Sequence, residues 1–418
     1  VARFPILPAP VRAGTARTRL ALGLSYLALA TAITWHVAAT CQDPAMRWTM
    51  ADLQVYREAV AAAATNRPVY SSGFTAYNLP YLYPPFALLV LGPLAALPLD
   101  AAKLAMTVLS TAALAAICHL SWRHTPIPRE WQHPLTLGTL AVLLVSEPMQ
   151  QNLVMGQVNV LLTLAVLIDV LRPVTARGKG ALVGVAAGIK LAPALVAVYY
   201  LLRGERRAAV TAVGAFAVTV VAGALAHPAD SASFWLHALG QDRIGAGHLG
   251  NQSLHGVLLR LGTALGWPAI VATVAWLALA ALGVGLGLFR IVRSGSGPLA
   301  TYSALALLTL LVSPLSWTPH WVALAPAVVW LAGRRGAPRV AVAVLAGAGL
   351  LLFAWPVGGV WSGLVWTVYP AGFWPGVPAP FRTLGAIVLG NLYPIAAGTA
   401  WLCGRRKTPQ GRDVLRLP

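Results

Sequence analysis

Few side chains in this sequence can do chemistry, so those that can stand out. It is 58% hydrophobic and 10% charged, with 11 acidic residues in 418. Asp52 lies in ADLQVYREAV, whose Leu53, Tyr56 and Val60 recur at helical spacing. A carboxylate there could take the proton of an attacking hydroxyl. The same residue also suits helix capping: Thr49 and Asp52 stand three apart, as in a capping box, and an acid in a first turn complements the helix dipole. Glu58 follows six residues on, about 120° round a 3.6-residue helix from Asp52, so the two acids do not face each other as a pair. The surrounding stretch, 51–85, also holds five tyrosines and a Tyr-Pro-Pro turn.

Four further groups are candidates. Glu147 and then Gln157 and Asn159 occur in SEPMQQNLVMGQVNVLL, at the mouths of apolar runs. Polar groups at membrane depth are functional candidates, although caps and interhelical bonds look similar in sequence. Lys190 interrupts the apolar run GIKLAPAL; a buried ammonium could meet a departing phosphate or reach back to an interface. Asn251, Gln252 and His255 close a polar stretch that also holds Asp242, Arg243 and His248. Finally, His320 sits between Trp317 and Trp321 in SPLSWTPHW, and tryptophan faces stack on sugars or anchor at interfaces. No Walker loop, GxGxxG, D-x-D or H-E-x-x-H occurs. The sequence therefore offers neither a nucleotide-binding loop nor a metal-held nucleotide sugar site, and no cofactor or metal is expected.

The elements that must position these residues are membrane helices. Soluble domains carry about 25% charge, and the repeated apolar runs here predict an all-α, polytopic integral membrane protein, one unit over 1–418. The net charge of +19 reflects topology rather than nucleic acid, because Lys and Arg collect in the short links between apolar runs. Spans are expected at 20–39, 101–120, 134–147, 157–171, 180–189, 191–202, 208–226, 268–289, 299–312, 320–332, 340–355 and 384–401, twelve in all, with both termini cytoplasmic. Residues 49–64 read as a helix along the membrane surface and 86–97 as a re-entrant helix too short to span. Three outer loops follow: 41–85, which would be catalytic, 227–264, and a Trp- and Pro-rich 356–382. The three cysteines, Cys41, Cys118 and Cys403, are too scattered to suggest a disulfide or metal cluster.

In order along the chain, DLQVYREAV, RPVY, LPYLYPPFALL, GQVNVLL, GIKLAPAL, GNQSLHG and SPLSWTPHW resemble glycosyltransferase family 87, the polyprenol-phosphate-sugar-dependent membrane transferases of actinobacteria. The resemblance covers about residues 50–330. One departure is visible: family proteins often read SWxHH, and here Pro319 replaces the first His. The resemblance implies a GT-C type fold with extracytoplasmic loop helices, in the plasma membrane, working on the outer face. It implies a polyprenyl-phosphate-mannose donor, a phosphatidylinositol mannoside acceptor, and inversion to an α-1,2 mannoside. Carried onto this chain, Asp52 is the base and His320 a catalytic phosphate or acceptor contact, with Lys190 and Arg243 behind it. Tyr56, Tyr83, Gln157, Asn159, Asn251, Gln252 and Trp317 would line the site. A lipomannan-branching mannosyltransferase or an arabinofuranosyltransferase fits the same residues. A lipid-linked-sugar flippase is a non-enzyme alternative, but it would place acids along a path through the spans.

Overall fold

The computed structural model describes residues 15–333, except 43, 45–47, 239–244 and 249. The spans expected at 340–355 and 384–401, the third outer loop and Arg243 lie outside the described residues. What is described is helical, apart from one small hairpin pairing β1 (Gly73–Phe74) with β2 (Leu79–Pro80).

Four helices are long and apolar enough to cross a membrane: α1 (Ala16–Gln42), α4 (Leu99–Arg123), α10 (Arg206–Ala226) and α13 (Ala269–Arg293). A fifth candidate is a bent pair, α6 (Glu147–Met155) and α7 (Asn159–Leu171), which turns through 119° between its halves. Between them come α2 (Ala51–Ala64), α3 (Phe86–Ala96), α5 (Arg129–Leu144), α8 (Ala181–Ile189), α9 (Ala194–Leu202) and the short α11 (Pro228–Ser233). After these follow α12 (Leu254–Leu265), α14 (Pro298–Val312), a 3₁₀ turn (Thr318–Leu324) and α15 (Ala325–Ala332). Helices of nine residues such as α8 and α9 rise only about 14 Å, too little to span a bilayer alone. Among the described residues, four helices, or five with the bent pair, are long and apolar enough to span by themselves.

Two helices depart from the sequence expectation. α6 occupies residues read there as a link, because its composition, EPMQQNLVM, is polar. Its ends explain it: the Ser146 hydroxyl accepts from the Met149 amide, Pro148 suits the first turn, and Gly156 closes the helix at φ +69°. α12 fills the end of the segment 227–264, with Ser253 capping the Gly256 amide.

Close backbone approach sets the scaffold beneath Lys190. Gly184 and Gly188 of α8 lie on α10 so tightly that a Cβ would come within 2.2 Å of the Ala212 carbonyl and 2.1 Å of the Thr219 hydroxyl. This is the small-residue spacing by which membrane helices pack, and it fixes the end of α8, where Lys190 follows.

Several helix ends meet in pairs. Lys179 pairs with Glu205 at 3.1 Å, Arg203 donates to the Val292 carbonyl at 3.0 Å, and Gly333 lies against Thr125. α2 lies at the opposite end of α7 and α8. Its Leu53 and Tyr56 are buried, as its apolar spacing predicts. Arg57 donates to the Leu94 carbonyl near the end of α3, and Glu58 accepts the Thr75 amide of the hairpin at 2.8 Å.

Candidate active site

Five of the residues singled out in the sequence form one continuous hydrogen-bonded line. Asp52 accepts from the Gln157 amide nitrogen, and the Gln157 oxygen accepts from the Asn159 amide nitrogen. The Asn159 oxygen then accepts from Lys190 Nζ at 2.8 Å, and Lys190 Nζ lies 2.8 Å from His320 Nε2. Four separate elements contribute: α2, the α6–α7 bend, the link after α8, and the 3₁₀ turn.

The direction of this line is fixed by its ends. An ammonium can only donate and an ionised carboxylate can only accept. Asn159 must therefore turn its oxygen to Lys190, which leaves its nitrogen for Gln157, whose own nitrogen is left for Asp52. Both amides thus point their positive ends at Asp52 and their negative ends at Lys190.

Local sequence explains the convergence. Gly156 in its left-handed turn lets α2 settle directly on the bend, where a Cβ would meet Leu53 Cβ at 2.8 Å and Met50 Cβ at 3.0 Å. Gln157 follows at once and reaches Asp52. The N-cap position of α2 falls on Met50 rather than Thr49, so the capping box anticipated between Thr49 and Asp52 does not start the helix. The carboxylate meets Gln157 instead.

Gln157 and Asn159 are buried, whereas Asp52, Lys190, His320 and Tyr83 are half-buried. Burial pushes the Asp52 carboxyl above the usual carboxylate range; the Gln157 hydrogen bond and the Lys190 charge pull it part of the way back.

An aromatic wall flanks the line. Lys190 Nζ stands 5.5 Å from the centre of the Tyr83 ring. Tyr56 donates to the Tyr83 hydroxyl at 2.8 Å with the rings edge to face, and Tyr70 donates to the Tyr83 carbonyl at 2.7 Å. Tyr70 and Tyr81 were not singled out in the sequence. Tyr81 is 1% exposed, and its hydroxyl has no hydrogen-bond partner among the described residues.

Asn251, Gln252 and Trp317 form a second group. The Asn251 amide nitrogen donates to the Ala246 and Pro314 carbonyls, and its oxygen accepts from the Ser253 and Ser316 amides. That uses all four of its hydrogen-bonding positions. The Gln252 backbone amide donates to the Ser316 carbonyl at 2.9 Å. Together they fasten the end of the 245–253 segment to the turn that presents Trp317, whose carbonyl accepts from the His320 amide at 2.8 Å. Pro319 opens this 3₁₀ turn, a place where proline is well tolerated.

The sequence model of glycosyltransferase family 87 matches residues 81–314. The chain belongs to this family. The matched stretch carries Tyr83, Gln157, Asn159, Lys190, Arg243, Asn251 and Gln252, while Asp52, Tyr56, Trp317 and His320 flank it. It is 35% identical over 329 residues to the polyprenol-phosphate-mannose-dependent alpha-(1-2)-phosphatidylinositol mannoside mannosyltransferase of Mycobacterium tuberculosis H37Rv, covering 73% of this chain and 75% of that one. A protein of the same description from Mycolicibacterium smegmatis is 32% identical, covering 73% and 74%. A polyprenol-phosphate-mannose-dependent alpha-(1-2)-phosphatidylinositol pentamannoside mannosyltransferase of M. tuberculosis CDC 1551 is 33% identical over 376 residues, 82% of each chain. No solved structure matches. As a family 87 member the chain is a membrane glycosyltransferase.

Proposed function

We propose that this chain is an inverting mannosyltransferase that moves mannose from polyprenyl-phosphate-mannose to a phosphatidylinositol mannoside, forming an α-1,2 linkage on the outer face of the plasma membrane. The observation that carries this reading is the Asp52–Gln157–Asn159–Lys190–His320 line, which holds a half-buried carboxylate and a half-buried ammonium apart by two amides. A single displacement needs those two groups on either side of the sugar.

In this mechanism Asp52 takes the proton of the acceptor hydroxyl as its oxygen bonds to the anomeric carbon. The bond from that carbon to the phosphate oxygen breaks, and its electron pair leaves with polyprenyl phosphate. Lys190 meets the charge that grows there. The acid and the cation come from separate elements, so the acceptor and the donor phosphate can enter from different sides. No divalent metal is needed, because a leaving group with a single phosphate can be met by one ammonium.

The fold we propose is of GT-C type with about twelve spans. α2 and its hairpin would lie outside, and the basic helix ends gathered around Lys179, Arg203 and Thr125 would be cytoplasmic. The charge distribution supports this orientation.

The test is product analysis. Purified protein is given polyprenyl-phosphate-mannose, with a panel of phosphatidylinositol mannosides as acceptors, with and without EDTA. We expect one added α-1,2 mannose, with the same rate in EDTA. Transfer only from a polyprenyl-phosphate-arabinose donor, or no transfer with movement of the lipid across vesicles, would overturn it.

A further inference from the structure

We propose that His320 is a positioning residue: a neutral imidazole that takes a hydrogen bond from Lys190 and thereby aims the ammonium at the leaving phosphate, without itself meeting that phosphate. This rests on the transferase reading above and divides the roles within its site. The family resemblance implies His320 in front, with Lys190 and Arg243 behind it; for His320 and Lys190 the geometry points to the reverse.

The argument is one of donors and acceptors. Lys190 Nζ is 2.8 Å from His320 Nε2. An ammonium has three hydrogens to give and nothing to accept with. Nε2 must therefore present its lone pair, which puts the ring proton on Nδ1. The Leu315 backbone interacts with the same ring and suits that tautomer, since a carbonyl can hold the Nδ1 proton. A second proton on the ring would set a cation against Lys190 at hydrogen-bond distance and break the contact.

Asn159 takes a second ammonium hydrogen at 2.8 Å. Two of the three hydrogens are thus held by neutral acceptors from different elements, and the Tyr83 ring closes one side at 5.5 Å. What remains is one N–H with a fixed direction, the arrangement that preorganised stabilisation of a developing anion calls for. The Lys190 charge is kept whole, because neither neighbour carries a charge to offset it.

Asn251 extends the same positioning outward. Its four backbone bonds hold Ser316 and Pro314, and the turn they fix leads directly into Trp317 and His320.

Two measurements test the proposal. The first crosses His320→Ala and His320→Gln with Lys190→Ala, reading kcat and donor KM on protein that runs as a single species in detergent. The glutamine oxygen can still accept from the ammonium. We expect His320→Gln to stay within about 10-fold of the parent kcat and His320→Ala to lose about 100-fold. In the Lys190→Ala background, His320→Ala should change kcat by less than about 3-fold, because the two act as a unit. Equal losses in both backgrounds, or a folded His320→Gln as poor as His320→Ala, would overturn it.

The second is the ¹⁵N spectrum of the His320 ring, assigned by its loss in His320→Gln. We expect an unprotonated Nε2 at neutral pH, with or without polyprenyl phosphate. A ring protonated at both nitrogens on adding polyprenyl phosphate would overturn the proposal. This readout needs no turnover. A parent chain that transfers no mannose would defeat the functional reading, while the spectrum still decides the role of His320.

Discussion

α7 and α8 carry a buried polar network at each end, and the two networks are built on opposite principles. At the end where α7 leads into α8, Asp169 is 0% exposed and accepts the Gly180, Leu182 and Val183 amides and the Tyr200 hydroxyl, at 2.7, 3.0, 3.4 and 2.8 Å. Beside it Lys179 pairs with Glu205 and donates to the Arg172 carbonyl. At the opposite end, Asp52 and Lys190 do not close on each other. Two amides join them, and Asp52 and Lys190 are each half-buried. The first network holds helix ends together and leaves Asp169 no spare capacity. The second leaves its acid and its base available, which costs stability and suits chemistry. Both acids sit in polar networks, so burial alone does not separate them; unspent hydrogen-bonding capacity at Asp52 does.

The largest test of this contrast exchanges each aspartate for asparagine. Asp52→Asn keeps the shape and can still bond to Gln157, but it cannot take a proton. Turnover should fall by about 10²–10⁴-fold with the thermal transition little changed. Asp169→Asn should do the reverse: with one oxygen replaced by a donor facing backbone amides, the yield and thermal stability of folded protein should drop by several kcal/mol. Activity per folded molecule should hold within a few-fold. Measuring kcat and melting on the same preparations decides it, and a stable, fully active Asp52→Asn would remove Asp52 from the mechanism.

Lys190→Gln comes next. The loss of a charge aimed at the leaving phosphate should cost about 10²–10³-fold in kcat. It should also move the pH profile. Asp52 works as a base only when ionised, so turnover falls as pH drops through its pKa. Burial already holds that pKa high and the Lys190 charge holds it down. Removing the charge lets it rise, so the acid limb should shift to higher pH. A limb that stays in place, or moves lower, would mean that the two ends of the line are not coupled.

The parts of this site differ in how far the sequence announces them. Lys190, and Gln157 and Asn159 at the mouths of apolar runs, are legible because a polar group at membrane depth is costly and asks for a reason; Asp52 stands out as one of few acids, and His320 by its place between Trp317 and Trp321. Their joining into one line is not legible, since the direction of each amide depends on what stands at both ends. Asp169 could have been found by the same rule, as an acid inside VLIDVL, but the sequence alone does not tell a closed network from an open one. α6 is hidden by its polar composition and betrayed only by Ser146, Pro148 and Gly156. Asn251 looks in the sequence like a sugar-binding amide. Its four backbone bonds appear only when the segments around 246–253 and 314–316 are brought together.

Gly156→Ala should have an intermediate effect. The new Cβ would press on Leu53 and Met50 at 2.8 and 3.0 Å, at a φ of +69° that alanine adopts poorly. α2 would have to move, carrying Asp52 away from Gln157. A displacement near 1 Å costs up to about 100-fold in rate, and the backbone strain adds about 1–3 kcal/mol of destabilisation. We expect kcat to fall about 10–100-fold, with a lower melting temperature. If melting falls while kcat is kept, the seat of α2 on the bend serves folding alone and the open network tolerates movement.

The smallest effect is expected at the other acid of α2. Glu58 is exposed and faces the hairpin, where its carboxylate accepts the Thr75 amide at 2.8 Å. Thr75 itself sits at φ +64°, so the contact helps to hold a strained turn. Glu58→Gln keeps an oxygen in place to accept that amide, and the removed charge is one that water already screens. We expect kcat within about 2-fold of the parent and stability within about 0.5 kcal/mol. The two carboxylates share a helix, differ in exposure and differ in partner: one is pinned to a neighbouring backbone amide, the other to a line that runs through Lys190. A Glu58→Gln protein that lost as much turnover as Asp52→Asn would show that negative charge anywhere on α2 is what the reaction needs. A near-silent Glu58→Gln beside an inactive Asp52→Asn ties the requirement to the carboxylate that shares a hydrogen-bonded line with Lys190.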